Sequence, residues 1–305
     1  MTDELNIDTS RFRHIPVLKE EIIEFIGQMP EELIKNNSIL DLTLGGGGHS
    51  SLILEKFPDL KLIGVDQDPE AISFASKRLE NFKNRTTFFT SNFADFKPSE
   101  KVSIVLADLG ISSTQLEKSN RGFSFLIDGP IDMRMNQTKG IKAQELIEQL
   151  SENDLANLIY RYGEERKSRK IARKIKKDLS IKGPYSGTLE LAYAIAGCFP
   201  PALRHKKIHP ATRTFQALRI EINNELTSLE TLLKLSPDWL IPEGIISIIS
   251  FHSLEDRLIK NCFKNDERLE KINRKPITAK ENEIESNPRS RSAKLRIAKR
   301  KSYKD

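Results

Sequence analysis

Residues 38–66 read SILDLTLGGGGHSSLILEKFPDLKLIGVD, and this stretch decides the fold. Ser38–Leu44 is a short apolar run that reads as a buried strand. Gly45 to Gly48 follow without interruption, and a short helical pattern then runs over Ser50–Lys56. Leu60–Asp66 is a second strand. Glycines at such a turn let backbone approach a ligand closely, and the helix after them offers free N–H groups to an anion. Asp66 ends the second strand, with Asp68 two residues on. An acid at that place accepts hydrogen bonds from a ribose diol in dinucleotide folds. The unit therefore predicts a nucleoside-containing ligand at a switch point of a sheet. The NAD fingerprint asks for a third glycine where Ser50 stands, and no Gly-Lys-Ser/Thr follows to make a phosphate loop of the Walker type. S-adenosyl-L-methionine also carries a ribose diol, with a carboxylate as its anion, and suits the loop equally.

Working outward, Val17, Leu18, Glu21, Ile22, Phe25 and Ile26 predict an amphipathic helix. Pro69–Leu79 predicts a helix opened by proline, and Thr86–Thr90 and Lys101–Asp108 two more strands. Alternation of this kind predicts an α/β fold, a parallel sheet with helices on both faces. After Asp108 the next strand is Gly244–Ser250, too far away for a structureless loop. The interval reads helical. Ser151 with Asp154 signs a helix start. Apolar stripes follow at Leu155, Leu158, Ile159 and Tyr162, and at Ile171, Ile175 and Leu179. Leu189–Cys198 predicts a further helix. One long helix is predicted from about Ala211 to Pro237, on the spacing of Phe215, Leu218, Ile222, Leu226, Leu229, Leu232 and Leu233. The expectation is a helical subdomain over residues 118–216, inserted into an α/β domain made of 1–117 and 217–305. A last strand or tail is expected near Ala293–Ala298.

The 305 residues carry a formal charge of +6 and are 38% apolar. No apolar run approaches the ~20 residues of a membrane-spanning helix, so membrane spanning of that kind is not expected. The first ten residues are polar and acidic, which predicts no secretory leader. Cys198 and Cys262 stand far apart, predicting neither disulfide nor zinc site and fitting a reducing, cytoplasmic setting. The five histidines have no metal-ligand spacing, so no metal is expected. The charge is uneven. Residues 161–182 hold ten Lys/Arg against three acids, and residues 286–305 eight against one. Each segment is +7, and the other 263 residues sum to −8. The two segments read either as solvated surfaces or as a footprint for a polyanion.

Ordered motifs then become specific. They are His14-Ile-Pro16-Val17-Leu18, the glycine loop, Gly64-Val-Asp66-Gln-Asp68-Pro69, Asp108-Leu-Gly110-Ile-Ser112-Ser113-Thr-Gln115-Leu116, and Arg121-Gly-Phe-Ser-Phe125 with Asp128–Arg134. Tyr162–Arg166, His209–Arg219, Ser250–Arg257 and Asn287–Lys294 continue the series. On these residues the chain resembles, nearly end to end, the bacterial ribosomal RNA small-subunit methyltransferase H (MraW) family. It departs from the family's frequent Pro at Thr114 and Asp at Glu117. The resemblance implies a Rossmann-like class I methyltransferase sheet with an inserted helical subdomain. It implies transfer of a methyl group from S-adenosyl-L-methionine to the exocyclic N4 of a cytidine in the decoding region of 16S rRNA. The substrate would sit in the small ribosomal subunit, and homodimerisation stays open. Cofactor contacts are implied at Gly47, Gly48, His49, Asp66, Phe93, Asp108 and Gln115.

The cytosine amine is a poor nucleophile, because its lone pair is delocalised into the ring. An acceptor for its N–H would localise that pair and take up the developing charge. Asp108, at the end of the fourth strand, is the catalytic candidate; the alternative is that it only binds cofactor or caps the next turn. Amino methyltransferases often carry Asp-Pro-Pro-Tyr at this place, whereas this chain has Asp-Leu-Gly-Ile. Phe123 and Phe125 read either as a stacking platform for an unstacked base or as a packed loop. His252, Ser253, Glu255 and Asp256 lie too close in sequence for a hydrolase triad, and Ser253 is expected to cap a helix from Leu254. Two rival classes remain: an NAD-dependent oxidoreductase, and a non-catalytic RNA-binding assembly factor.

Overall fold

A computed structural model describes residues 15–204 and 208–302, apart from the side chains of Ser113 and Thr114. The leader reading over the first ten residues, His14, and the last charges at Lys304 and Asp305 lie outside the described residues.

Among the described residues seven strands form one sheet: β1 Ser38–Asp41, β2 Lys61–Asp66, β3 Thr86–Thr90, β4 Val102–Asp108, β5 Leu240–Ser250, β6 Leu269–Lys271 and β7 Lys294–Arg300. Their order is β3-β2-β1-β4-β5-β7-β6. The first five run parallel, and β7 enters antiparallel to β5 and β6. This is the expected Rossmann-like sheet, with one correction: its far edge is antiparallel. The last strand is thus real and longer than the stretch expected near Ala293–Ala298. β6 carries no sequence signal, because only Leu269 of its three residues is buried.

Alternate residues of the central strands point to opposite faces. Ile39 joins a core under the helices Lys19–Gly27, Gly48–Lys56 and Pro69–Arg78. Leu40 joins a second core under Glu225–Trp239 and Ser253–Asn265. Both faces are covered, which explains why β4 is apolar almost throughout. A third core gathers buried side chains from Phe123 to Leu218, with Ile222 packed against it. It is built by the helices Ala143–Gln149, Glu152–Gly163, Ser168–Lys182, Thr188–Ala196 and Thr212–Asn223. Ser151 Oγ accepts from Asp154 N at 3.1 Å, capping the second of these helices.

The single long helix expected from Ala211 to Pro237 is instead two, Thr212–Asn223 and Glu225–Trp239. Asn224 breaks it with φ 50°, a left-handed conformation that asparagine tolerates better than most side chains. The second helix also runs past Pro237. Proline frees the carbonyl of Leu233 four residues back, and the Cys262 thiol lies 3.6 Å from that oxygen as a donor. Burial pushes the Cys262 thiol up to about 11, so it remains protonated for this contact.

Candidate active site

The carboxyl ends of the parallel strands open into a cavity of about 470 Å³. Its floor is set by the polar residues of the first strand and loop. Asp41 accepts from Ser50 Oγ at 2.6 Å and from Thr43 N at 3.2 Å, closing the glycine loop onto its helix. Burial raises the Asp41 carboxyl above its ordinary value, partly offset by the Ser50 hydroxyl. Thr43 Oγ1 accepts from Asp108 N at 2.6 Å, which ties the loop to the end of β4.

Asp66 lies across the loop. Its Oδ2 accepts from Gly45 N at 2.8 Å and its Oδ1 from Asp68 N at 2.9 Å. Gly45 makes that bond with φ 50°, where a side chain would strain the backbone. Burial pushes the Asp66 carboxyl up to about 6. Asp68 caps the helix Pro69–Arg78 through Glu70 N. Its other oxygen accepts from Gln115 Nε2 at 2.9 Å and Arg121 Nη1 at 2.8 Å. Gln115 Oε1 in turn accepts from Ser112 N at 3.2 Å.

Of the residues singled out from sequence, Gly48, His49, Asp66, Phe93, Asp108 and Gln115 all line this cavity. Gly47 is not among the lining residues. A Cβ there would meet Ala75 and Leu79 at 3.3 Å, so this glycine serves the packing of the loop on the neighbouring helix. Gln115 reaches the wall with both amide atoms already bonded within the protein. His49 Nε2 stands 3.6 Å from Asp108 Oδ2. His49 Nε2 and Asp108 Oδ1 are buried without a hydrogen-bond partner among the described residues. Buried polar atoms are rarely left without a partner, and the residues of both these atoms line the cavity.

Phe123 is buried in the third core, while Phe125 stacks on His209 at 4.8 Å and meets Phe215 edge-on at 5.1 Å. Both rings also line the cavity. The helix after β5 corrects the expected cap. His252, not Ser253, is its N-cap, and forms a capping box with Glu255. Ser253 Oγ instead donates to Glu164 Oε2 at 2.6 Å.

Sequence reading missed part of the wall. Arg219 donates to both oxygens of Glu225 at 2.7 Å, and both residues line the cavity beside His252 and Glu255. Burial would raise the Glu255 carboxyl, but its neighbours, the Arg219 guanidinium and the Phe251 N–H among them, outweigh it and hold it below the ordinary range. Glu225, His252 and Glu255 bring one potential ligand atom each within 4.8 Å of the others. Arg219 already occupies the cation's place on Glu225, which disfavours a metal there. No spacing rule connects these positions; only the break at Asn224 brings Glu225 back against Arg219.

The charged segments separate on inspection. On the helix Ser168–Lys182, Lys174 is bonded to Asp178 and Lys176 to the carbonyls of Ile147 and Glu148. Lys170 and Lys177 are exposed. In the C-terminal segment Arg296 and Lys294 pair with Asp256, and Lys299 with Glu243. Much of that segment's charge is therefore paired along β7, while Arg289 lines the cavity and faces Glu117 at 3.8 Å.

Residues 11–301 match the model of the MraW methylase family. The chain belongs to this family. It is 60% identical over 300 residues to a "Ribosomal RNA small subunit methyltransferase H" of Prochlorococcus marinus strain MIT 9211, covering 98% of each chain. A relative of the same name from strain AS9601 is 62% identical over 293 residues, covering 95% of this chain and 97% of that one. Family membership turns the choice between hydride and methyl chemistry, left open by the glycine loop, toward the methyl donor.

Proposed function

We propose that this chain methylates small-subunit ribosomal RNA in the cytoplasm, transferring a methyl group from S-adenosyl-L-methionine to the exocyclic N4 of a cytidine in the decoding region. The observation that carries the reading is the end-to-end likeness to small-subunit rRNA methyltransferases, at about 60% identity. The cavity supports it. Orphaned buried atoms at His49 and Asp108, a glycine loop and the partly buried Asp66 together fit a nucleoside with an attached charged group. Gly48, His49, Asp66 and Phe93 would hold that group: Asp66 at the ribose, Phe93 beside the adenine. Gln115 and Gly47 shape the site, the first by orienting Asp68 and the second by packing the loop.

The bound donor supplies a methyl group on a positively charged sulfur. Cytosine N4 gains that methyl and must lose a proton. Asp108, with one oxygen unpartnered at the strand end, would accept an N4 hydrogen and take that proton. His49 beside it would steady the carboxylate. The functional division we propose follows the cores. Residues 1–117 and 217–305 carry the cofactor, and 118–216, which supplies most of the third core, meets the RNA. Exposed Lys170 and Lys177 lie on that insert.

Mass-spectrometric mapping of methylcytidine in small-subunit rRNA, from cells with and without the gene, tests the proposal. One N4-methylcytidine should disappear without the gene and return when purified protein and S-adenosyl-L-methionine are added to the subunits. An unchanged methylation map would overturn it.

A further inference from the structure

The capping box fixes more than a helix end. His252 Nδ1 accepts the backbone N–H of Glu255 at 3.4 Å. A ring nitrogen that accepts carries no proton, which places the ring hydrogen on Nε2. That Nε2–H has no hydrogen-bond partner among the described residues, although it is buried and its side chain is only 8% exposed. Glu255 Oε1 lies 3.1 Å away, but out of line for a bond. Glu255 Oε2 is occupied by Phe251 N at 2.8 Å and His252 N at 3.3 Å, which locks the carboxylate in place. His252 and Glu255 both line the cavity. The wall thus presents a fixed donor beside a fixed acceptor.

We propose that His252 Nε2–H and Glu255 Oε1 read the Watson–Crick edge of the target cytosine, the first donating to N3 and the second accepting from N4–H. This rests on the function proposed above and names the residues that select the base. Cytosine presents an acceptor, N3, beside an amine donor. Uracil presents the reverse, N3–H beside a carbonyl, and would place donor against donor and acceptor against acceptor. The pair therefore selects an amino base over a keto base. A flipped base is commonly read on this edge and stacked on apolar rings. Phe251, next to His252, lines the same cavity, and its ring lies 3.4 Å from where a Cβ on Gly110 would stand. N4 carries two hydrogens. Glu255 takes the one on the N3 side, which leaves the other for Asp108. Both acceptors then lie in the plane of the base, clear of the face from which the nitrogen lone pair reacts.

The test uses the full-length protein loaded with S-adenosylhomocysteine, titrated by NMR with cytidine, uridine and 3-deazacytidine 5′-monophosphates. The last has carbon in place of N3. Wild type should favour the cytidine nucleotide over the uridine nucleotide by about tenfold, and lose about as much on the 3-deaza analogue. His252→Asn keeps a good N-cap residue but removes the Nε2 donor. It should bind the cytidine nucleotide and its 3-deaza analogue alike. Equal binding of cytidine and uridine nucleotides by wild type would overturn the proposal, as would a 3-deaza penalty that persists in His252→Asn. Affinity for S-adenosylhomocysteine in the same samples reports whether the variant folds, and the wild-type 3-deaza result decides the matter if it does not. Failure of wild type to bind S-adenosylhomocysteine at all would instead strike the methyltransferase reading itself.

Discussion

His49 Nε2 stands 3.6 Å from Asp108 Oδ2 in a buried corner of the cavity, and Asp108 Oδ1 has no hydrogen-bond partner among the described residues. The two come from different elements. His49 opens the helix after the glycine loop, and Asp108 ends β4. They meet because β1 pairs with β4 and Thr43 receives the Asp108 N–H. Asp108→Asn keeps the shape and removes the charge. We expect single-turnover methylation of unmethylated small subunits to fall by about 100-fold or more. Full turnover in this variant would remove Asp108 from the chemistry.

Asp66 makes cofactor affinity depend on pH. Its carboxyl is raised to about 6 by burial, so the folded protein takes up a proton there as pH falls toward 5. A ligand that binds the ionised form competes with that proton. Calorimetric affinity for S-adenosylhomocysteine should therefore weaken between pH 7.5 and 5.5. Asp66→Ala should bind at least about tenfold more weakly at pH 7.5 and show a flatter pH profile over this window, since it removes a charge-assisted acceptor. An unchanged affinity would refute the ribose assignment.

Arg121 is a structural hub of the site. It is 2% exposed, pairs with Asp68 at 2.8 Å, and donates to the carbonyl of Met135 at 2.7 Å. Arg121→Ala leaves Asp68 buried and short of a partner. Urea unfolding should show a loss of about 3–5 kcal/mol, as for one-sided removal of a buried ion pair. A loss under about 1 kcal/mol would show that Gln115 alone can hold Asp68.

Neutralising Lys170, Arg173, Lys174 and Lys177 to Gln tests the footprint on the helix Ser168–Lys182. RNA affinity should fall, and the slope of log affinity against log salt should flatten by about 0.7 for each phosphate that the protein no longer neutralises. The total should correspond to fewer than four phosphates, because Lys174 is held by Asp178 at 2.7 Å. Cofactor affinity serves as the control. An unaltered slope would return this helix to an ordinary solvated surface.

At the helix break, Asn224→Gly should leave thermal stability nearly unchanged. Asn224→Ala should cost about 1 kcal/mol, because alanine is strained at φ 50°.

The central parallel strands were legible because they are buried on both sides. SILDLTL, LKLIGVD and KVSIVLAD cannot be mistaken for amphipathic helices of that length. β6 was not legible, since a three-residue edge strand with exposed Glu270 and Lys271 has no apolar period. The helix break escaped because the apolar spacing continues through it from Phe215 to Leu233. The capping residue was misread for a similar reason. Both Ser253 and Asp256 suit a helix start, and only the extended backbone at His252 (φ −142°, ψ 165°) assigns the cap.

By itself the sequence determined the α/β class, the glycine loop with its acids, and the family. Each rests on local chemistry: apolar runs, consecutive glycines, and motifs in order. Tertiary structure decided which of those residues line the cavity and which are spent on packing or internal bonds. Gly47 turns toward Ala75 and Leu79, and Gln115 is bonded to Asp68 and Ser112. Arg219, Glu225, His252 and Glu255 come from positions with no common period and still form one wall. The physical reason is that burial and hydrogen-bond satisfaction are properties of the packed chain. A buried donor at His252, or an acceptor at Asp108, that lacks a partner among the described residues exists only once the chain around it has packed.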